Sequence, residues 1–291
     1  MTVFQKFREG LVEWVIRASG VASIFIVALI LIFLLKEGGG LFQTQKLGDF
    51  LLGQKWYPIS EPGEFGILPL ILGSILVTLG AAAISVPLGV AAAIYIAEVA
   101  PSYLKELLKS GVEILAAIPS VVLGFVGLAT IVPWMKIIFH LPTGLTAFSG
   151  SVVLAFMAMP TIVSIAEDAL HSVPRSYKEG AYALGATHWQ TIYRVVLPAA
   201  SPGIMAAVML GIGRVVGETM AVMMITGNAA SIPRGILYPV RTLTATIAAE
   251  MGETVQGSEH YFALFSIGIV LFVITFIINM TADMFLHREP K

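Results

Sequence analysis

Two charged residues, Arg214 and Glu218, lie in a stretch that otherwise has the composition of a membrane helix. Over residues 211–220 the chain reads Gly-Ile-Gly-Arg-Val-Val-Gly-Glu-Thr-Met. A charged side chain at the centre of a bilayer costs about 2.5–3.5 kcal/mol on insertion scales, so such residues face a protein interior or a water-filled path. In a continuous helix, a spacing of four puts both side chains on one face, close enough to pair. The pair is therefore the first candidate functional site.

The composition is that of a polytopic membrane protein. Hydrophobic residues make up 57% of the 291 residues and charged residues 12%, against about 25% charged residues in soluble domains. The formal net charge of −1 gives no indication of a nucleic-acid partner. The chain has no cysteine, and its five histidines are not spaced as metal ligands, so disulfides, thiolate chemistry and a metal site are not predicted.

Six segments are long enough to cross a membrane, which takes about 20 apolar residues. The predicted fold class is therefore all-α, a polytopic membrane protein with six transmembrane helices. The side that carries both termini has ten lysines and arginines, the other side has six, and Arg214 completes the total of 17. This bias predicts that both termini are cytoplasmic. The predicted spans cover residues 18–35, 65–97, 114–135, 137–166, 195–225 and 260–282.

The chain divides into a short leading segment and one membrane domain. Apolar residues at helical spacing, with charged residues between them, predict an amphipathic helix over residues 1–17 that lies on the membrane surface. Residues 18–291 form the transmembrane domain, with a cytoplasmic loop over 167–200 and an external loop over 227–260. No small-residue cleavage site follows the first span, which is predicted to be retained.

The cytoplasmic loop carries the most specific motif. From Glu179 to Pro198 it reads Glu-Gly-Ala-x3-Gly-x9-Val-x-Leu-Pro. This series resembles the EAA loop (E-A-A-x3-G-x9-I-x-L-P) of bacterial ABC importer permeases, with Gly180 and Val195 as mild departures. The resemblance implies the type I ABC importer permease fold, in which this loop docks in a groove of the ATPase subunit.

The resemblance also assigns roles within the loop. It implies that Glu179, Ala181 and Gly185 carry the docking to the ATPase, and Tyr182 shares the surface of the same predicted helix. Gly185 is in addition well placed to end that helix. The chain has no G-x-x-x-x-G-K-[ST] phosphate loop, so ATP is expected on the partner subunit. We therefore expect no cofactor, no catalytic residue and no enzyme activity in this chain.

The run around the charged pair, with the later Gly227-Asn228 and the external segment 242–253, resembles the PstC family of phosphate-importer permeases. The resemblance covers about residues 67–286. It implies assembly with a PstA-like sister permease, two PstB-like ATPase subunits and a PstS-like phosphate-binding protein. It also implies a bacterial or archaeal cytoplasmic (inner) membrane location, in contact with membrane lipid.

Within this resemblance, Arg214, Glu218, Thr219 and Asn228 are the predicted substrate-path residues. The guanidinium of Arg214 can donate two parallel hydrogen bonds to phosphate oxygens. Glu218 can neutralise Arg214 when phosphate is absent, and it can accept a hydrogen bond from a protonated phosphate oxygen. Sulfate has no proton to offer near pH 7. The alternative for the charged pair is a purely structural role in helix packing.

Other functions remain open at this point. A permease for another oxyanion, such as molybdate or sulfate, shares the coupling loop; a secondary phosphate transporter and a membrane sensor of phosphate status are more distant alternatives. The charged residues of the external loop are interpreted either as rim ion pairs to the binding protein or as solvated charges, and single substitutions there are expected to matter little. These residues are Arg234, Arg241, Glu250, Glu253 and Glu259.

Overall fold

The computed structural model describes residues 3–286, and six helical segments within that range are long and apolar enough to cross a membrane. The predicted all-α class with six transmembrane helices is therefore confirmed. Two of the predicted cytoplasmic charges, Arg288 and Lys291, lie outside the described residues. The side chains of the first 11 residues, which carry part of the predicted amphipathic pattern, are also not described.

The described chain consists of helices joined by short connections, with a two-stranded antiparallel hairpin near the start. The elements are α1 (Val3–Gly38), a 3-10 helix (Gly39–Gln43), α2 (Leu47–Leu52), β1 (Trp56–Tyr57), β2 (Glu64–Phe65), α3 (Leu68–Ile94), a first π-turn (Tyr95–Val99), α4 (Ser102–Ala117), α5 (Ser120–Ala129), α6 (Ile131–Ile138), α7 (Ala147–His171), α8 (Arg175–Ala183), α9 (His188–Thr191), a second π-turn (Ile192–Val196), α10 (Leu197–Val216), α11 (Met220–Ile225), α12 (Leu243–Glu250), a 3-10 turn (Met251–Glu253) and α13 (Glu259–Leu286).

The third and fourth spans begin later than predicted. The third span starts at Ser120 rather than at residue 114, because Pro119 holds the preceding residue, Ile118, in an extended conformation that ends α4. The fourth starts at Ala147 rather than at residue 137, where the Thr146 hydroxyl caps α7 by accepting from the Ser149 N–H. Both corrections arise at helix boundaries, where local caps override hydropathy.

The first helix runs without interruption from Val3 to Gly38, through the boundary predicted at residue 17. Its outer part packs on α13, where the rings of Phe33 and Phe265 lie 5.4 Å apart edge to face. The Ser266 hydroxyl donates to the carbonyl of Gly38 at 2.8 Å. A separate surface role for residues 1–17 stays a prediction.

The centre of the molecule is α7, which packs against both α3 and α10. Ile162 of α7 is fully buried between glycines of its two neighbours: a Cβ at Gly211 would lie 2.5 Å from its side chain, and one at Gly89 2.9 Å. Small residues therefore allow the three backbones to approach closely. Gly203 and Gly211 of the fifth span both face α7 of the same chain.

The loop after α1, which is predicted to be external, folds over a core of its own. Leu41, Phe50 and Trp56 are buried there, against Leu243 of α12 and Leu264 of α13. The sequence showed no period in this loop, because its apolar residues are contributed by several short elements rather than by one. This core holds the outer ends of the first, second and sixth spans together.

Glu250 is the polar centre of this external region. Its carboxylate accepts hydrogen bonds from Arg241 and from the indole N–H of Trp56, the latter at 3.0 Å, and a third hydrogen bond of 2.8 Å joins it to His260. The side chains of Arg241 and Glu250 are only 22% and 17% exposed. Their predicted role as rim charges is therefore wrong, because they pair with each other inside the chain.

We expect Glu250→Gln to lower the thermal unfolding temperature of the purified protein in detergent micelles. The amide keeps the shape of the side chain but removes the charge opposite Arg241, and hydrogen bonds to charged groups contribute about 1.5–3 kcal/mol each. Glu253→Gln, an exposed carboxylate three residues away, is the matched control and should leave the temperature unchanged. Equal unfolding temperatures for the two variants would contradict the role assigned to Glu250.

Candidate functional site

The fifth span is broken in the middle of the charged motif. Helix α10 ends at Val216 with Gly217 as its cap, and α11 starts at Met220, so Glu218 and Thr219 lie in the connection. The predicted pairing of Arg214 with Glu218 on one helix face is therefore wrong. No ion pair joins the two side chains in the described part of the chain, and each has a different partner.

Arg214 points toward α7. Its Nη1 donates to the hydroxyl of Thr161 at 3.1 Å, and the side chain is half-buried. Thr161 was not among the predicted site residues, although it directly follows Pro160 in an otherwise apolar run. A polar residue beside a proline within a span was the available signal for it.

Glu218 caps the second half of the span. One carboxylate oxygen accepts from the backbone N–H of Ala221 at 3.2 Å, in the first turn of α11, where N–H groups lack helical partners. Its backbone carbonyl accepts from the Thr244 hydroxyl of α12 at 2.9 Å. The Ala221 N–H and the Glu218 carbonyl therefore both have hydrogen-bond partners within the chain.

Hydroxyl groups from two other elements surround Glu218. A small cavity of about 10 Å³ beside it is lined by Ser74 and Thr78 of α3 and by Thr242 and Thr244 at the start of α12. The Ser74 hydroxyl also accepts from the backbone N–H of Leu243 at 2.9 Å. These hydroxyls are far apart in sequence, which is why sequence reasoning missed them. Only the folding of α12 back against α3 brings them together.

The other two predicted path residues have local roles as well. The Thr219 hydroxyl donates to the carbonyl of Gly217 at 3.1 Å, inside the break. Asn228, whose φ is +49°, donates from its amide to the carbonyl of Met223 at 2.6 Å and so closes the end of α11. Six residues of helix, about 9 Å, separate the break from this end, so Asn228 does not join Arg214 and Glu218.

Asn228 instead lines an open cleft of about 900 Å³ on the side that is predicted to be external. Its carbonyl accepts from Nε of Arg241 at 3.1 Å, and Glu250 and His260 lie on the same wall. The hairpin residues Trp56 and Tyr57 form the opposite side. The structure therefore separates the predicted path residues into a set at the break and a residue in the outer cleft. Among the described residues, no group of three side chains could hold a metal ion.

The predicted docking helix is α8. It starts after Pro174, and Gly185 ends it in the left-handed region, with a φ of +83°, while its N–H donates to the carbonyl of Tyr182 at 2.9 Å. The predicted helix-ending role of Gly185 is therefore confirmed, since glycine adopts this conformation without steric cost.

The predicted docking residues do not all share one surface. Glu179 is exposed, and so is Tyr182, whose hydroxyl forms a hydrogen bond of 3.0 Å with Nδ1 of His188. Ala181 is buried within the chain, so its methyl group packs inward and does not face a partner in this conformation. The inward placement follows from the helix period, because Ala181 lies on the side opposite its exposed neighbours.

The inner ends of the spans are tied by lysines of α4. Lys109 donates to Glu167 at 2.7 Å and to Asp168 at 3.1 Å, both at the inner end of α7. Hydrogen bonding to Glu167, and then to Asp168, raises the pKa of Lys109 above its ordinary value. Lys105 of the same helix donates to the carbonyl of Ala97 at 2.8 Å.

Comparison with known proteins identifies relatives among transport proteins. The chain is 44% identical to the probable ABC transporter permease protein YqgH of Bacillus subtilis, over 79% of this chain and 74% of that protein. It is 38% identical to the phosphate transport system permease protein PstC of Mesorhizobium japonicum, over 82% of this chain and 78% of that protein. For the PstC of Haemophilus influenzae, identity is 34% over 84% and 82%.

Solved structures share the fold at lower identity. A chain of a bacterial alginate ABC transporter superposes with a TM-score of 0.63 at 17% identity, covering 98% of this chain and 97% of that one. A chain of the inward-facing MetNI methionine ABC transporter superposes with a TM-score of 0.57 at 22% identity, covering 78% and 95%. The predicted ABC importer permease fold is thereby confirmed.

The family model described as "Binding-protein-dependent transport system inner membrane component" matches residues 85–289, which include α8 and both halves of the broken span. The match to this model and the identity to PstC proteins agree on one family. The chain therefore belongs to the family of binding-protein-dependent transport system inner membrane components.

Proposed function

We propose that this chain is a permease subunit of an ATP-driven phosphate importer and forms half of its translocation pathway. The observation that carries the proposal is the break in the fifth span, where Arg214 and Glu218 lie among hydroxyls contributed by α3, α7 and α12. The names of the relatives, phosphate transport system permease proteins, support phosphate as the substrate.

The chemistry at the break suits a protonated oxyanion. Arg214 has five N–H donors, and the hydrogen bond to Thr161 engages a single nitrogen. A guanidinium is the side chain best matched to two phosphate oxygens at once. Glu218 accepts the hydrogen bond of a phosphate O–H and repels the fully ionised sulfate. Because the carboxylate and the guanidinium are not paired with each other, both can turn toward a passing anion.

The cytoplasmic side suits an ATPase partner. Around α8 the chain exposes apolar and aromatic side chains, with Leu184 at 90% and Trp189 at 61% exposure. Exposed apolar groups that cluster in this way are typical of a protein–protein contact. Glu179 and Gly185 lie on the same loop, so α8 would enter a groove of the ATPase, and ATP hydrolysis belongs to that partner. This chain itself binds no cofactor and makes or breaks no bond.

The full assembly would contain four kinds of subunit. A PstA-like sister permease supplies the other half of the pathway, two PstB-like ATPases bind the coupling loops, and a PstS-like protein delivers phosphate to the external face. The alginate transporter was solved in complex with a periplasmic protein that holds an alginate pentasaccharide, which supports the last of these. The lysine and arginine count supports a cytoplasmic location for both termini in a cytoplasmic (inner) membrane.

Two alternatives are less well supported. A permease for molybdate or sulfate would share the fold and α8, but the relatives carry the name of phosphate permeases and Glu218 would repel a fully ionised anion. Secondary transporters often have broken helices, and the fifth span here is broken. Helix breaks therefore do not separate the two classes, whereas family membership favours the ABC importer.

We expect phosphate uptake by the reconstituted complex to require ATP and to be abolished by Glu179→Lys. The complex in proteoliposomes would contain this chain, its sister permease and the ATPase, with ATP inside and phosphate-loaded binding protein outside. The variant reverses an exposed charge on α8, whereas Glu13→Lys, which reverses an exposed charge on α1, should leave uptake unchanged. Uptake without the ATPase would contradict the proposal in favour of a secondary transporter.

We expect Glu218→Gln to reduce the discrimination between phosphate and sulfate by about tenfold or more. A hydrogen bond to a charged group is worth about 1.5–3 kcal/mol, and 1.4 kcal/mol corresponds to a factor of ten. Competition of sulfate with radiolabelled phosphate in the same proteoliposomes measures the ratio. Glu253→Gln, outside the break, is the control. Unchanged uptake and selectivity in Glu218→Gln would show that Glu218 only caps α11.

A further inference from the structure

We infer that the ion pair between Lys178 and Glu98 connects the coupling helix α8 to the second span, and that it sets how much phosphate is moved per ATP hydrolysed. The inference rests on the proposed function, because it assumes that α8 is moved by an ATPase. It assigns a positioning role to two residues that the EAA resemblance does not include.

The geometry of the pair is that of a firm connection. Lys178 lies on α8, next to the docking residue Glu179, and its ammonium group donates to both carboxylate oxygens of Glu98, at 2.7 and 2.9 Å. The Glu98 side chain is 7% exposed and that of Lys178 26%. Exposed ion pairs contribute little because water competes with them. A shielded pair with two hydrogen bonds holds its geometry, and removing one partner leaves a buried charge.

The pair is the hydrogen-bonded contact between α8 and the second span in the described part of the chain. The other close neighbours of α8 are α9 and the second π-turn, which directly follow it in the sequence. Through the chain alone, a movement of α8 would therefore reach α7 and α10. The ion pair of Lys178 with Glu98 also connects α8 to α3, although about 80 residues of sequence separate these two helices.

Glu98 lies in the first π-turn, which ends α3, and a second π-turn leads from α9 into α10. Single π-turns within helices are rare and are frequent at functional sites. Here they occur in two of the three spans to which α8 is attached: in the second span, reached through the ion pair, and in the fifth, reached through the chain. A π-turn has a wider backbone loop than an α-helical turn; in the first one, the Ala100 N–H donates to the carbonyl of Tyr95 at 2.8 Å. Such a turn is a place where the helix axis can change direction.

The second span then leads to the break. Helix α3 is 27 residues long, about 40 Å, and packs along α7. Its outer half supplies Ser74 and Thr78 beside Glu218, and Ser74 is bonded to the start of α12. A displacement of Glu98 by α8 would therefore move the hydroxyls around the break. Without the pair, α8 would act on α3 only indirectly, through α7, along which α3 packs.

The experiment measures ATP hydrolysis and phosphate uptake in the same proteoliposomes of the complete complex. We expect Lys178→Met to lower uptake per ATP hydrolysed by at least about threefold while hydrolysis stimulated by loaded binding protein continues, since Glu179 and the docking surface are intact. Lys178→Arg should restore the ratio. The exchange of charges in Lys178→Glu with Glu98→Lys should restore most of it, and it gives a readable result if Lys178→Met does not assemble.

Arg175→Met is the matched control, because Arg175 is an exposed cation at the start of α8, three residues before Lys178. It should leave uptake per ATP unchanged. The inference is overturned if Lys178→Met keeps the wild-type ratio of phosphate uptake to ATP hydrolysis. If the ratio is kept while both rates fall, Lys178 acts in ATPase docking instead. Failure of the wild-type complex to take up phosphate with ATP would instead overturn the proposed function, and so the two failures are distinguishable.

Discussion

Backbone N–H and C=O groups inside a membrane have to find partners within the protein, and the break in the fifth span creates such groups at membrane depth. The chain satisfies them with side chains around the break. The Glu218 carboxylate accepts the Ala221 N–H, the Thr244 hydroxyl donates to the carbonyl of Glu218, and Thr219 donates to that of Gly217. These requirements bring α12 back against α3 and place hydroxyls beside the charged residues. The polar character of the site is thus a consequence of interrupting a helix.

Close packing of the central helices and of the outer end of the molecule compensates for the interrupted helix. Ile162 of α7 is held between Gly89 of α3 and Gly211 of α10, so the backbones of these three helices approach one another closely. At the outer end, Glu250 ties Arg241, Trp56 and His260 into one network that fixes α12 to the hairpin and to α13. The break therefore lies between two closely packed regions.

The face that is predicted to be cytoplasmic has a different organisation. Besides a buried apolar cluster, long lysine side chains join the elements here: Lys109 to α7, Lys105 to the end of α3, and Lys178 to Glu98. In the pairs with Glu167 and Glu98 the carboxylate is at most 7% exposed, so water competes little with these contacts.

The sequence by itself determined the fold class, the number of spans and the coupling loop with its terminal Gly185. Hydropathy over 20 residues and a glycine in the left-handed region are local properties, which need no knowledge of neighbours. The tertiary structure decided the partners of the charged residues. Arg214 bonds to Thr161, 53 positions away, and Lys178 to Glu98, 80 positions away. A spacing of four predicts pairing only in an unbroken helix, and the contacts that make a break at Gly217 possible come from α3, α7 and α12, which no local pattern records.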